Sequence, residues 1–276
     1  PGASLNRLIS DKGSSRPLFP RRHAPAKAGA GIHCWPGKEH DPFMCGRFTL
    51  TDPDADIAVQ FGLPEIPDMQ PRYNIAPTQP VAAVRLKTGD RTREMVMLNW
   101  GLIPFWAKDP KIGARMINAR SETAAQKPSF RAAFRRRRCL VIADGFYEWQ
   151  KQNGTKQPFF IHLRDVRPFA FAGLWEHWDG PDGSVIESCT LLTTEPNDFL
   201  RPVHNRMPVI LKPGDYDLWL DPEVQQPDLI QPLLRPYPAQ EMDAYPVSRF
   251  VNRPGNDTPE CIEPLVDVEE QRLPGF

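Results

Sequence analysis

The sequence predicts an α+β domain with short helices, whose strands are largely antiparallel and form a sheet or an irregular barrel. Many short apolar runs follow one another at the spacing of hairpins, and only a few segments have helical periodicity. Proline accounts for 32 of the 276 residues, nearly 12%, against about 5% in an average protein. Because proline breaks helices and fixes turns, this excess disfavours a bundle of long helices.

One helix and one hairpin are predicted in the first part of the domain. Asp52 is a typical N-cap residue and Pro53 suits the first helical turn, so we expect a helix from here to Gly62. Glycine at that position is suited to ending the helix. The apolar runs 81–86 and 95–100 flank a polar loop, which predicts a β-hairpin.

The remaining predicted elements are short strands and short helices. Apolar side chains share one face of the segment 130–138, which predicts a helix there. The apolar runs that follow predict strands at 139–143, 146–150, 158–163, 169–175 and 188–194. After Pro213 we expect short helices at 215–220 and 228–234 and a short extended segment at 245–248.

Charge is distributed unevenly along the chain, although 34 basic and 34 acidic residues leave no net charge. Residues 1–43 hold seven basic and three acidic side chains, and residues 44–276 hold 27 basic and 31 acidic ones. The first segment lacks a sustained period of 2 or 3.6 and is rich in turn residues. We therefore expect 1–43 to be a disordered extension, from a misassigned start or a leader, and 44–276 to be a single domain.

Several classes of protein are disfavoured by composition. No run of 18 apolar residues is present, which excludes a transmembrane helix, and 1–22 lacks the apolar stretch of a secretory signal. The five cysteines include no CxxC pair, so neither a disulfide framework nor a zinc ribbon is indicated. Candidate ligands within 33–45 match no metal-ligand spacing. Without a phosphate-binding or dinucleotide motif, we expect no cofactor and no metal.

Six short segments each set a polar or reactive side chain in an apolar, turn-rich context. They are MCGRF (44–48), RYNIAP (72–77), NWGLIPFW (99–106), INARSET (117–123), ADGFYEW (143–149) and PVHNRMP (202–208). Glu148 stands between Tyr147 and Trp149, which suits a general acid, although a charged strand edge fits the same pattern. The lone His204 equally fits a hydrogen-bonded loop residue.

Arginine and cysteine residues elsewhere allow structural interpretations. The arginine run 135–138 is expected to close a helix, either as a solvated end that complements the helix dipole or as a phosphate contact. Cys139 and Cys189 lie in apolar strands and are expected to be buried thiols.

Taken together and in order, the six segments resemble the SOS-response-associated peptidase (SRAP) family, the abasic-site-processing proteins. The resemblance covers nearly all of 44–256, because KQPFFI, AGLW, the strand end at Thr193 and Thr194, and VHNRMPVIL also occur in the family's order. It implies an α+β pseudo-barrel with a positively charged groove for single-stranded DNA. It also implies a catalytic set made up of the nucleophile Cys45, the amide of Asn118, the carboxylate of Glu148 and the imidazole of His204.

The chemistry of an abasic site suits these residue types. Its deoxyribose opens to an aldehyde, and an N-terminal cysteine offers an α-amine with a pKa of about 7.7–8.0 next to a thiol at about 8.5. The amine forms an imine, which the thiol closes into a thiazolidine, a durable DNA–protein crosslink. We expect Glu148 and His204 to move the protons and Asn118 to hold the amine or the sugar. β-Elimination from the imine predicts weak lyase activity as well.

The predicted partner is single-stranded DNA with an abasic site, bound by a monomer in the bacterial cytoplasm or nucleoid, with no membrane. The DNA-binding candidates are Arg47, Asn74, Trp100, Phe105, Arg120 and Arg206. We expect the three arginines to contact phosphates, and the other three residues to hold the backbone turn or to stack on bases beside the lesion.

Cys45 is internal in this sequence, and an amide nitrogen cannot form an imine. Either translation begins at Met44 and the methionine is removed, or the bond between Met44 and Cys45 is cleaved, for instance through an N-to-S acyl shift. Two other functions remain open. One is a cysteine peptidase acting in trans with Cys45 as nucleophile and His204 as base, and the other is a non-catalytic module that binds single-stranded DNA.

Overall fold

The structure is a computed structural model that describes residues 46–52, 55–152 and 154–265. Its strands are β1 Phe48–Leu50, β2 Arg72–Ile75, β3 Pro80–Leu86, β4 Arg93–Trp100, β5 Asn118–Arg120, β6 Arg138–Ala143, β7 Gly145–Gln152, β8 Thr155–Leu163, β9 Phe169–Asp179, β10 Val185–Thr194, β11 Met207–Pro208, β12 Ile210–Leu211 and β13 Met242–Pro246. The predicted nucleophile Cys45 and Pro53, predicted in the first turn of a helix, lie outside the described residues.

The helices of the described residues are short. The α-helices are α1 Ala55–Phe61, α2 Ser121–Ala124, α3 Arg131–Arg136, α4 Tyr216–Leu220 and α5 Pro227–Ile230. Turns of 3₁₀-helix occur at Pro110–Arg115, Pro213–Asp215, Gln231–Leu233, Ala239–Glu241, Arg249–Asn252 and Pro259–Ile262. In the part of the chain that the structure describes, no helix has the length and apolar character needed to cross a membrane.

Five strands close into a barrel in the order β4-β3-β6-β9-β10, because β10 pairs both with β9 and with β4. The pairing of β10 with β4, through Ser188 opposite Asn99, is parallel, and the other four are antiparallel. The predicted hairpin is confirmed, since β3 pairs with β4 along its whole length. The predicted α+β class with largely antiparallel strands in an irregular barrel is likewise confirmed.

A second sheet has the strand order β13-β8-β7-β1-β2 and is antiparallel throughout. Strand β7 contacts two different cores, because successive side chains of a strand point to opposite faces. Phe146 belongs to the large core that also fills the barrel. Tyr147 belongs to a smaller cluster with Phe160, Val247, Val251 and Cys261.

Gly62 ends α1 as predicted. Its φ of +62° lies in the left-handed region that favours glycine. The Leu63 N–H donates to the Ala58 carbonyl at 2.9 Å, and the Gly62 N–H donates to the Val59 carbonyl at 3.3 Å. This pair of bonds is the Schellman arrangement, which satisfies carbonyls at the helix end.

The helix predicted over 130–138 is shorter than expected, because Arg138 belongs to β6. Arg138 is 2% exposed, and its guanidinium donates to the carbonyls of Phe134 at 2.7 Å and Val224 at 3.0 Å. Its burial lowers the pKa of Arg138 to about 10. Neither the solvated helix end nor the phosphate contact is therefore correct for this arginine.

The helix predicted at 228–234 divides into α5 and the 3₁₀ turn Gln231–Leu233. Pro232 lacks the N–H that an α-helix requires at that position, which accounts for the break. Only the first two residues of the segment predicted at 245–248 belong to β13, which ends at Pro246 and pairs with β8 from Met242 onward.

Candidate active site

Glu148 lies on β7 and is 3% exposed. The rings of Tyr147 and Trp149 are 6.4 Å apart, and the Tyr147 hydroxyl and the Trp149 indole donate to Tyr73 O and Asn252 Oδ1 at 2.6 and 2.8 Å. Strand alternation places Glu148 on the other face, with Phe146. The expectation that the two neighbouring rings surround the Glu148 carboxyl is therefore wrong.

The Glu148 face of β7 is directed toward the loop that carries His204. Gln150, the next residue on that face, has its Nε2 3.5 Å from the Pro202 carbonyl. The His204 N–H donates to the Leu200 carbonyl at 2.9 Å, which fixes the turn after β10. The fold thus places the end of β7 beside the loop that carries His204, although the two segments are far apart in sequence.

The His204 ring is oriented by the backbone of its own loop. The Arg206 N–H donates to His204 Nδ1 at 3.2 Å. A ring nitrogen that accepts a hydrogen bond carries no proton, so the neutral imidazole of His204 has its proton on Nε2. Nε2 is consequently the ring nitrogen that carries the proton in the neutral form.

Asn118 and Arg120 lie on β5, which pairs in parallel with the end of β10. Arg120 is opposite Thr193 in this pairing, and Thr194 is opposite Met207 of β11 on the other side of β10. The end of β10 is therefore flanked by the 118–120 segment and by the segment that follows His204. Strands β5, β10 and β11 therefore bring the segments INARSET (117–123) and PVHNRMP (202–208) to one place.

Arg206 is held by an acidic residue that sequence analysis did not select. Its Nη1 and Nη2 donate to Glu122 Oε1 and Oε2 at 2.6 and 2.8 Å, and Nη2 also donates to the Thr193 carbonyl at 2.6 Å. Arg120, in contrast, is exposed. The signal for Glu122 in the sequence was its place in one motif with Arg120. This signal does not identify the partner of Glu122, which lies 84 residues away.

Arg47 and Asn74 form part of the folded framework. Asn74 is fully buried, and its Oδ1 accepts a hydrogen bond from Arg47 Nη1 at 2.9 Å. Arg47 is half-buried, and this burial lowers the pKa of its guanidinium. Both side chains hold backbone segments together, and Asn74 has no surface for a base.

The two tryptophans of the 99–106 segment have different environments. Trp100 is fully buried and its indole donates to the Ile117 carbonyl at 2.9 Å, so it holds the backbone and offers no stacking surface. Phe105 and Trp106 are 58% and 48% exposed. Trp106 was missed as a stacking candidate, although its position two residues after Pro104 was the signal for an exposed turn.

Two glycines determine where this aromatic loop runs. Gly101 has a φ of +135°, and a Cβ built on it would lie 2.6 Å from the Gly113 carbonyl oxygen. The Gly101 N–H donates to the Cys189 carbonyl at 2.8 Å. Close contact with the turn Pro110–Arg115 therefore requires glycine, and the chain leaves the barrel there with Phe105 and Trp106 on its surface.

The three cysteines of the described residues, Cys139, Cys189 and Cys261, are free and buried. Burial raises the pKa of each thiol, which disfavours the nucleophilic thiolate. The prediction that Cys139 and Cys189 are buried is confirmed. Within the described residues, no group of three or more His, Cys, Asp or Glu side chains is arranged to hold a metal ion.

Comparison with known proteins agrees with the motif order. The family described as SOS response associated peptidase (SRAP) matches residues 44–254. The chain belongs to the SRAP family. An SRAP relative, abasic site processing protein YoqW of Bacillus subtilis (strain 168), is 47% identical over 224 residues, which cover 80% of this chain and 99% of the relative.

More distant SRAP relatives and solved structures also match. Abasic site processing protein HMCES of Xenopus tropicalis is 34% identical over 234 residues, covering 73% of this chain and 68% of that protein. A crystal structure of a protein from Bacteroides thetaiotaomicron superposes with a TM-score of 0.72 at 26% identity, covering 80% of this chain and all of that one. The family resemblance seen in the sequence is therefore confirmed.

Proposed function

We propose that this chain is an abasic-site processing protein that binds single-stranded DNA and crosslinks to the lesion through Cys45. The observation that carries the proposal is the SRAP match, which begins at residue 44 and places Cys45 second in the matched range. Relatives that bear the name abasic site processing protein support the substrate. The same match, over residues 44–254, supports most of the single domain proposed for residues 44–276.

The proposed reaction joins two adjacent nucleophiles to one aldehyde carbon. The neutral α-amine of Cys45 attacks C1′ of the ring-opened sugar, and the carbinolamine loses its hydroxyl as water to give an imine. The Cys45 sulfur then adds to the imine carbon, its proton passes to the nitrogen, and a five-membered thiazolidine results. One water is released, and no oxidant or reductant is required.

Proton transfer is assigned to Glu148 and His204. Because His204 Nδ1 accepts the Arg206 N–H, the neutral imidazole carries its proton on Nε2, and this is the proton proposed to pass to a sugar oxygen. Glu148, nearly buried on the face of β7 directed to the same loop, is suited to protonate the departing hydroxyl. Asn118 is proposed to hold the amine or a sugar hydroxyl. Loss of the 3′ phosphate from the imine by β-elimination would give weak lyase activity.

The proposed DNA surface combines Arg120 and Arg206 with the exposed rings of Phe105 and Trp106. Arginine supplies phosphate contacts, and aromatic rings stack on unpaired bases regardless of sequence. Asn74 and Trp100 hold the backbone in this proposal, because both are fully buried, and the half-buried Arg47 stays a candidate for a phosphate contact.

A free amine on Cys45 is required, so the peptide bond between Met44 and Cys45 must be absent in the active protein. Either initiation at Met44 with removal of the methionine or cleavage of this bond meets the requirement. N-terminal mass spectrometry of protein from its native host distinguishes an active chain that starts at Cys45 from one that retains earlier residues.

The decisive experiment incubates single-stranded DNA carrying one abasic site with the protein expressed from Met44 and with the full 276 residues. The Met44 protein should give a heat-stable, gel-shifted species, and uncleaved full-length protein should not. Cys45→Ser is the matched control, because its amine can still form an imine. It should crosslink stably only after borohydride reduction, and equal crosslinking by an uncleaved full-length chain would overturn the mechanism.

The same variants separate the other two functions. A peptidase acting in trans would cleave peptide substrates and lose that activity in Cys45→Ala. A non-catalytic binding module would retain all of its function in Cys45→Ala. If the Met44 protein did not crosslink and either of these results were found, the corresponding function would replace the proposed one.

A further inference from the structure

Residues 247–253, here called the crossing segment, follow β13 and run across the second sheet. The Val247 N–H donates to the Pro158 carbonyl of β8 at 3.0 Å. Further along, Asn252 Oδ1 accepts the indole N–H of Trp149 on β7 at 2.8 Å. The crossing segment is therefore bound to β8 at one end and to β7 at the other.

The β7–β8 hairpin continues past the crossing segment and carries two lysines there. Trp149 lies directly opposite Pro158, and nearer the hairpin turn Lys151 lies directly opposite Lys156. Residues two apart on a strand share a face, as do directly opposite residues, so both lysines are on the Trp149 face. Both are exposed. Like charges in such a pair destabilise a sheet, and an anionic ligand bound over them would offset the repulsion.

The crossing segment adds an exposed aromatic ring between two arginines. Phe250 is 42% exposed, and Arg249 and Arg253 are exposed as well. The Phe250 N–H donates to Ser248 Oγ at 3.2 Å, which fixes the start of the 3₁₀ turn Arg249–Asn252. Cationic side chains beside an exposed ring are the combination that binds single-stranded nucleic acid, through phosphates and through stacking on bases.

Basic charge is concentrated in these two stretches of the chain. Residues 149–158 and 248–256 together contain four basic side chains and no acidic one, whereas residues 44–276 as a whole hold 27 basic and 31 acidic ones. Asp257, the next acidic residue, is paired with Arg72 of β2. The positive charge is thus a local feature of this face and does not reflect the average of the domain.

This face adjoins the candidate active site. Arg47, a candidate for a phosphate contact, donates from Nη1 to the Val251 carbonyl at 2.9 Å and from Nη2 to the Asn252 carbonyl at 3.3 Å. Lys151 follows Glu148 by three residues on β7, which corresponds to about 10 Å along an extended strand. A single strand held beside Glu148 therefore has a basic and aromatic surface within reach.

We propose that this face is a second contact region for single-stranded DNA and binds the strand that flanks the abasic nucleotide. The region, here called the flank region, consists of the exposed side chains of Lys151, Lys156, Arg249, Phe250 and Arg253. It reads no sequence, because its contacts are to phosphates and to the faces of bases. The inference rests on the proposed function, and it adds a binding surface that takes no part in the chemistry.

The test uses two abasic oligonucleotides, so that the lesion fixes the position of the strand. One carries about one nucleotide on each side of the lesion and the other about ten. Single-turnover crosslinking by protein expressed from Met44 is followed by mass spectrometry of the intact protein. For Lys151→Gln/Lys156→Gln we expect the half-saturating concentration of the long oligonucleotide to rise about fivefold at low salt. The maximal rate, and both values for the short oligonucleotide, should change less than about twofold.

Salt dependence and the aromatic ring give two further readouts. Loss of two phosphate contacts should reduce the slope of log affinity against log salt by about 1.4 for the long oligonucleotide. Phe250→Ala should raise its half-saturating concentration about fivefold or more, and Phe250→Trp, which keeps a ring for stacking, should restore the wild-type value. These side chains are exposed, so the melting temperature of each variant should match that of the wild type.

Lys87→Gln/Arg91→Gln is the matched control, because it removes two exposed basic side chains from the other hairpin, between β3 and β4. It should behave as the wild type with both oligonucleotides. An equal loss of affinity in this control would show that only total charge matters, and would overturn the flank region.

The outcomes separate the flank region from the proposed function. Failure of the wild type to crosslink either oligonucleotide would remove the proposed function, and the flank region would then be tested by anisotropy with an unmodified strand of about 20 nucleotides, where the same variants should lose about fivefold in affinity. Crosslinking by the wild type, with wild-type values for the long oligonucleotide in the lysine and Phe250 variants, would overturn the flank region alone. Equal effects on the short and long oligonucleotides would do so as well, because they would place these residues at the lesion.

Discussion

The carboxylate of Glu122 and the guanidinium of Arg206 form a bidentate ion pair, with N–O distances of 2.6 and 2.8 Å. Burial is the largest single effect and acts to raise the pKa of Glu122, but the hydrogen bonds from Arg206, a backbone hydrogen bond and the charges of Arg206 and Arg120 together lower the pKa overall. Glu122 is therefore ionised at neutral pH. Its negative charge offsets the positive charge of Arg206, which is proposed to bind DNA, and also interacts with the charge of Arg120.

Replacement of Glu122 by Gln should strengthen binding to intact single-stranded DNA about fivefold at low salt, which corresponds to ~1 kcal/mol. The variant removes one negative charge beside Arg206 and Arg120 while retaining an acceptor for Arg206. Fluorescence anisotropy with an unmodified oligonucleotide measures this affinity without the crosslinking reaction. A steeper dependence of affinity on salt should accompany it, because a further phosphate contact releases a further counterion.

Glu187→Gln is the control for that measurement, because Glu187 pairs with Arg85 on the barrel wall at 2.6 Å. Its DNA affinity should match that of the wild type. Unchanged or weaker binding by Glu122→Gln would show that Glu122 serves to orient Arg206 and does not compete with DNA.

The same ion pair makes stability depend on pH. Because the folded pKa of Glu122 lies below its ordinary value of 4.5, the pair stabilises the folded state above that pH, and its contribution is lost as the pH falls through the lowered folded value. With nearly half of the Glu122 side chain exposed, we expect only about 0.5 kcal/mol. Urea unfolding of wild type and Glu122→Gln should differ by this amount at neutral pH and converge in acid, below the lowered folded pKa of Glu122. A difference that persists in acid would contradict the assignment.

Trp106→Ala should weaken binding to single-stranded DNA about tenfold, since a stacked base contributes about 1–3 kcal/mol. Its stability should be unchanged, because 48% of Trp106 is exposed. Anisotropy and thermal unfolding measure the two effects. Leu229→Ala, which removes a 54% exposed apolar side chain on α5, is the control and should leave affinity as it is. Equal affinity of both variants would exclude Trp106 from the DNA surface.

Trp100→Ala should have the opposite effects. Trp100 is fully buried, packs edge-to-face on Phe48 at 5.0 Å, and donates to the Ile117 carbonyl. Its truncation should cost about 3–5 kcal/mol in the free energy of unfolding. Chemical denaturation gives this value, and DNA affinity should remain within about twofold where the variant is folded. A stable variant with weak DNA binding would reverse the roles of the two tryptophans.

Cys139 and Cys189 should resist alkylation in the folded protein. Both are fully buried, and burial raises the pKa of each thiol. Modification at about pH 8, followed peptide by peptide with mass spectrometry, should be at least about 100-fold slower than in urea. Rapid modification of either thiol in folded protein would show that the barrel opens locally.

Local patterns were sufficient for the seven strands β3, β4 and β6 to β10 and for their approximate ends, whereas the short strands β1, β2, β5, β11 and β12 were not predicted. The β3–β4 hairpin follows from two apolar runs and a polar loop, and the end of α1 follows from a glycine at the right place. Arg138 could not be assigned in this way, because an arginine at a helix end is normally solvated and only contact with distant carbonyls explains its burial. The environment of Glu148 was misjudged because neighbours in sequence do not share a face of a strand.

The sequence by itself determined the fold class, the family and the candidate catalytic residues, because ordered motifs and short-range periodicity are written in neighbouring positions. Only the tertiary structure decided which of the polar residues are buried in the fold and which are exposed. Arg47 and the Val251 carbonyl are 204 residues apart, and Arg206 and Glu122 are 84 apart. Such pairs depend on how the sheets bring remote segments together, and no local pattern of side chains encodes that.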